Sequence, residues 1–275
     1  MSGQQWRWES FGGLAVSVPD DWTYGTTATP PCLYRAEPPP RGYVGRPGPV
    51  VDIACPDPVP PLDQRSAYLW FDSPTAAGVA THDAGWVEET RVVDGLALTV
   101  LSDDDAERAR ILDSVRPTTG DYPLQHAIIR AGADARPDPG PGGLAALGPV
   151  ESITLCRYAL WPTAAESPML STGRLVGEEA RAVVRAILAA PPGGGPDRPE
   201  DCLPEVALGI EVMLLLVRDG ERTQEIFVRY SGCDHHGFDD GHTLRRLTAD
   251  SLTPLLSGPH EPGVLNGAVG DLVWP

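Results

Sequence analysis

The chain has 275 residues and a formal net charge of −17, from 38 acidic residues against 21 basic ones, with an apolar fraction of 41%. That length can bury two modest cores, and the acidity makes nucleic acid and anionic membrane surfaces poor partners, because counterion release needs a basic patch. All 21 basic residues are Arg, which removes phosphate-loop lysines, Schiff bases, Ser-x-x-Lys acylation and kinase-type nucleotide lysines.

The opening stretch WRWESFGGLAVSVPDDWTYG alternates Trp6 and Trp8 on one face, turns at Gly12-Gly13 and resumes from Leu14 to Val18 before Pro19. This predicts strand, turn, strand. Further strands are predicted over 50–54, 67–71, 86–93 and 96–101, the last two joined by Asp94-Gly95, a strong hairpin signal. Ser102 followed by Asp103-Asp104-Asp105 reads as a helix start, and the helix carries Ile111, Leu112 and Val115 before Pro117. Residues 131–149, rich in Pro, Gly and Asp without periodicity, read as a linker. After it a strand is expected around 152–160. A helix from Gly177 presents Ala180, Val183, Val184, Ile187 and Leu188 on one face and ends at Pro191-Pro192. A second hairpin pairs 208–218 with 224–230 across Asp219-Gly220, 244–247 offers another strand, and Thr248 caps a short helix bearing Leu252, Leu255 and Leu256.

These elements predict an α+β protein of two domains, each an antiparallel sheet with packed helices. The expected boundaries are residues 1–130, a linker over 131–149, a second domain over 150–258 and a loosely held tail over 259–275, in which Val273-Trp274 could dock. No window approaches the about 18 apolar residues of a membrane span. The first residues lack the basic start and apolar run of a secretory signal, so the chain reads as soluble, without direct membrane insertion.

Twelve positions, SGCDHHGFDDGH over 231–242, hold half of the 6 histidines. One reading is a metal site, with His235, His236 and His242 as imidazole donors, Asp239 or Asp240 as carboxylate and Cys233 as a further donor. Gly237 and Gly241 would let the loop turn between adjacent ligands. The spacing matches no established ligand pattern. The other reading is a solvated turn of ordinary Gly, Asp and His residues. A metal ion is thus the one cofactor left open, and none is otherwise indicated. Elsewhere, the Trp residues of the first half read as core and rim, and His82, Asp83, Glu88 and Glu89 near Trp86 form an acid/base group without a nucleophile.

The chain has 5 cysteines. Cys32 and Cys55 bracket a Pro- and Gly-rich segment, and Cys202 and Cys233 flank the second hairpin. With Asp219-Gly220 as its turn, Cys233 lies opposite Val206, a few residues from Cys202. Bridges Cys32–Cys55 and Cys202–Cys233 would each stabilise by about 3–4 kcal/mol and would persist only in an oxidising compartment. Cys156 is left over as a buried apolar side chain; the other reading is five unpaired core thiols in a cytosolic protein.

The run WRWESFGGLAVSVPDDWTYG, Cys32 with YVGRPGPV and Cys55, then CRYAL, the helix and hairpin, and SGC with LRRLT resemble a group of uncharacterised actinobacterial proteins, commonly envelope-anchored. Within the first half, GGLAVSVPDDW and RILDSVR are similar to the PsbP-like fold, an antiparallel sheet packed on helices. Members of the first group usually begin with a membrane anchor, whereas this chain opens almost directly on its first strand. The resemblance brings no catalytic motif and implies an extracytoplasmic home. The leading expectation is a non-catalytic binding or sensing module of the actinobacterial cell envelope, acting on an unidentified protein or small ligand. The alternatives are a metal-dependent hydrolase built on 233–242 and a cytosolic acidic partner or inhibitor protein steered to a basic target.

Overall fold

The computed structural model describes residues 4–24, 40–47, 66–118, 136–159, 169–201, 211–262, 265 and 267–274. It has mixed α+β content and divides into two compact units, residues 1–119 and 120–275. In the first unit the strands are β1 (Trp6–Phe11), β2 (Leu14–Pro19), β3 (Thr23–Tyr24), β4 (Gly42–Gly45), β5 (Ala67–Phe71), β6 (Gly78–Thr81), β7 (Val87–Val93), β8 (Leu96–Ser102) and β9 (Arg116–Pro117), with helix α1 (Asp105–Asp113) before β9. β1, β2 and β9 form one small sheet; the other has the order β3-β4-β5-β8-β7-β6.

The predicted hairpin across Asp94-Gly95 is present in β7 and β8. Asp94 and Gly95 both take positive φ, 50° and 83°, the left-handed pair that a two-residue hairpin turn requires. Helix α1 starts two residues later than the run of acidic residues implies. Ser102 Oγ accepts the Asp104 amide, and the Asp104 carboxylate then accepts the amides of Ala106 and Glu107, so Asp104 is the cap. Helix α1 lies against β8 and β2, and its Ile111 and Leu112 are buried, as are Val16 of β2 and Leu98 and Val100 of β8.

The all-antiparallel expectation fails at one side of this sheet: β3 pairs β4 and β4 pairs β5 in parallel. β4 was not predicted, because GYVG is short and glycine-flanked. Its Gly42 is required by contact, since a Cβ there would lie 2.3 Å from the buried Trp22 ring. The predicted strand over 50–54 lies outside the described residues.

The second unit holds β10 (Ser152–Ala159), β11 (Met169–Val176), α2 (Gly177–Ala189), β12 (Glu211–Arg218), β13 (Thr223–Arg229), β14 (Gly237–Asp239), β15 (Leu244–Arg245), α3 (Ala249–Leu252) and α4 (Gly267–Val273). Its sheet order is β11-β10-β12-β13-β14-β15, antiparallel throughout. Helix α2 buries Ala180, Val183, Val184 and Ile187, as its spacing predicts, against Ile153, Leu155, Met213, Leu215, Val217, Ile226 and Val228. Alternate residues of the same strands, Cys156, Tyr158, Val212, Leu214 and Phe227, form a second buried cluster on the opposite face. That is why VMLLLV reads as a continuous apolar run: the strand is buried on both faces. Thr248 caps α3 in a capping box with Ser251.

Two expectations about connecting segments need correction. The described part of the expected 131–149 linker is held against the second unit's sheet. Arg136 makes a two-point ion pair with Asp239, the Leu144 amide donates to Asp240, and the Leu144 side chain is in the core. Its glycines serve close approach, since a Cβ on Gly143 would come within 2.7 Å of the Asp240 carboxylate. The expected loose tail after Gly258 likewise packs: Leu265 and Val269 join the core, and Val273 packs against it, while Trp274 stays half exposed. In both places composition signalled turns, and contact with the sheet decided that the turns were fixed.

Candidate functional site

The predicted metal ligands of the 233–242 loop diverge. His235 adopts φ 58°, a left-handed conformation, and its side chain is exposed beside Asp234. The next residue, His236, is buried and turned the other way: its Nδ1–H donates to the Pro196 carbonyl at 2.7 Å and faces the Asp197 carboxylate at 2.8 Å. The Asp239 carboxylate accepts both Arg136 nitrogens and the Gly241 amide. His242 Nε2–H donates to the Gly140 carbonyl at 2.9 Å. Asp240 accepts the amides of Leu144, His242 and Thr243. Among the described residues no group of His, Cys, Asp or Glu is arranged to hold a metal ion. The loop's composition is spent instead on pinning two crossing segments, 136–146 and 193–197, to the end of the sheet.

Electrostatics fits that role. Burial works to raise the Asp239 pKa, but the Arg136 guanidinium and the Gly241 amide outweigh it, leaving the carboxyl below its ordinary range. Cys233 is disulfide-bonded, which takes its sulfur out of the ligand set. Cys156 is a buried free thiol, pushed up to about 12 by burial, so it is not a nucleophile at neutral pH. Cys32, Cys55 and Cys202, and hence the expected pairings, lie outside the described residues.

A polar cluster that the sequence reading missed lies on the α2-facing side of the same sheet. Arg157 on β10 faces Glu211 on β12, with Nε 3.6 Å from Oε2, and the Tyr230 hydroxyl donates to the same carboxylate oxygen at 2.8 Å. Arg157 also donates to the Glu261 carbonyl. One strand away, Ser171 Oγ lies 2.8 Å from His260 Nδ1, both buried, with His260 lying over Gly173. Burial and the Glu211 carboxylate raise the Tyr230 pKa well above that of a free phenol. Every member reaches either the sheet or the Gly258–Glu261 turn, so the cluster fastens that turn to the strands. The signal was available: Arg157, Glu211 and Tyr230 fall at the same alternation as core residues Leu155, Met213 and Val228.

In the first unit, the proposed acid/base group is also structural. The Tyr68 hydroxyl donates to Glu88 at 3.0 Å, His82 Nε2 lies 3.9 Å from the same carboxylate, and Glu89 is paired with Arg91 and Arg108. Trp22 and Trp86 are buried, and Trp6 and Trp8 are each covered by a guanidinium 3.8 Å from the ring, from Arg110 and Arg116 respectively.

The surface of the first unit offers one feature of a different kind. Among the described residues β6 is the last strand of its sheet and pairs β7 alone. All four of its residues are exposed, and Val79 is 66% exposed. The His82 amide donates to the Trp86 carbonyl, which fixes the alternation: Gly78 and Ala80 face β7 with their backbone groups, and Val79 and Thr81 turn theirs outward. The strand, the sheet and the turn at Asp83–Gly85 thus present a ready-made edge. No helix of the described residues is long and apolar enough to cross a membrane. No protein-family model matches the chain, and no curated protein or solved structure is significantly similar to it.

Proposed function

We propose that the protein is a non-catalytic binding module of the actinobacterial cell envelope that takes up a protein partner along the edge of its first sheet. The open β6 edge carries this reading. It is pinned on one side by β7 and turns the backbone of Val79 and Thr81 outward, a template for strand addition. The envelope location is supported by the bonded state of Cys233, since disulfides persist in oxidising compartments, and by the resemblance to envelope-anchored actinobacterial proteins. Pairing of Cys233 with Cys202 and of Cys32 with Cys55 belongs to this proposal. The hydrolase alternative draws no support from the 233–242 loop, whose imidazoles point to different partners.

Thiol alkylation read by mass spectrometry tests the compartment. Protein isolated from its native source should take up no label while folded, because Cys156 is buried and protonated, one label when unfolded without reductant, and five after reduction. Five labels without reductant would overturn the envelope reading. Binding is tested by native-size analysis of envelope extracts, where the protein should migrate well above its 29.3 kDa. Migration as a lone chain in every fraction would overturn the binding role.

A further inference from the structure

We infer that the β6 edge takes an extended, positively charged polypeptide segment as an added strand, an inference that rests on the binding role proposed above and names its partner. Three observations converge on it. β6 reads Gly-Val-Ala-Thr and lacks the charges, prolines and bulges with which sheet edges are usually protected. It is nonetheless held straight, by pairing with β7 from Gly78 to Thr81 and by the left-handed Ala84 and Gly85 of the following turn. Little ordering is therefore left for the moment of binding. The hairpin and its flanks are acidic: residues 72–94 contain Asp72, Asp83, Glu88, Glu89 and Asp94 against Arg91, and of these carboxylates Glu89 is already paired, with Arg91 and Arg108.

The charge selects the occupant. A second copy pairing edge to edge would bring two such acidic hairpins together in a molecule whose net charge is −17, and like charges so placed suppress association. A segment with Arg or Lys at alternate positions would instead lay its backbone along Val79 and Thr81 and reach the carboxylates of the hairpin. The outward N–H and C=O groups of these two residues supply the hydrogen bonds, and the exposed apolar Val79 side chain packs against the added strand.

The probes are three eight-residue peptides: one alternating Arg and Val, its counterpart alternating Glu and Val, and a fully N-methylated form of the first. Binding is followed by titration, and hydrogen exchange is read at individual amides. The Arg–Val peptide should bind, more weakly as salt is added, and should slow exchange at Val79 and Thr81, whose amides should exchange faster than those of Ala80 and His82 in the free protein. The other two peptides should bind at least tenfold more weakly. Thr81→Pro removes one outward donor, and Val79→Arg adds a like charge without touching the core. Each should weaken binding at least tenfold, whereas Val79→Glu should bind as well as the native chain; an unchanged melting temperature in the two Val79 variants keeps the comparison free of misfolding.

Binding of the N-methylated peptide as tight as that of its parent, or binding that leaves the Val79 and Thr81 amides exposed, would overturn strand addition. A dimer dispersed by Val79→Arg would assign the edge to a second copy instead. These results are separable from the binding role itself. A complex in envelope extracts that leaves the β6 amides exposed sinks only the strand-addition inference, and a lone chain whose edge binds the Arg–Val peptide sinks only the physiological role.

Discussion

At the scale of single residues, the acidic side chains act as clamps on the backbone. Asp219, in the β12–β13 turn, accepts the Gly148 amide at 2.7 Å and both the amide and guanidinium of Arg222. The Gly148 amide and then Arg222 hold its carboxyl down at about 2, from an ordinary value of 3.8. A depressed folded-state pKa contributes stability that is present above the unfolded value and lost as pH falls toward the folded one. The window here runs from about 4 down to about 2. Asp219→Asn should therefore melt below the native chain at neutral pH, and the gap should close as pH falls through that window. A gap of constant size from pH 5 to pH 2 would show that the charge contributes nothing. The residue identities were plain in the sequence, but their roles were not. Three histidines and three aspartates in SGCDHHGFDDGH look like donors facing one ion until the backbone is placed; the left-handed turn at His235 then sends neighbouring rings apart.

At the scale of elements, the strongest periodic signals were legible. The α2 face, the Asp94-Gly95 hairpin and the Thr248 cap are formed as their patterns require, because each depends on contacts within a few residues or on one apolar stripe. Ile187, 1% exposed, lies in the middle of that stripe. Ile187→Ala should cost about 2–5 kcal/mol in chemical denaturation, and a loss below about 1 kcal/mol would mean that the sheet closes around the gap. The segment 136–150 tests the opposite case, in which the element is defined by what it touches. Asp240→Ala removes the acceptor for the Leu144, His242 and Thr243 amides at one stroke. It should destabilise by about 1–3 kcal/mol and speed hydrogen exchange across 136–147. Unchanged exchange there would mean that Arg136 and Leu144 hold the segment unaided. No local pattern announced this docking, since Pro, Gly and Asp mark turns equally well whether or not a sheet lies beneath them.

At the scale of the whole molecule, the charge of −17 is a uniform background against which the local ion pairs work. Self-repulsion disfavours the compact state and is screened by salt, so the melting temperature should rise by a few degrees between about 0.01 and 0.15 M NaCl. A fall would show that exposed pairs such as Arg198–Asp271 and Arg185–Glu178 outweigh the repulsion. By itself the sequence determined the α+β class, the hairpins, the principal helix and the absence of lysine chemistry, because composition and short-range periodicity carry those properties. The tertiary structure alone decided the parallel pairing of β3, β4 and β5, the docking of 136–150 and of the C-terminal turn, the buried Arg157–Glu211–Tyr230 cluster and the exposed β6 edge. Each of these depends on which strand lies beside which. That choice is made by contacts between residues tens to hundreds of positions apart, which no local pattern records.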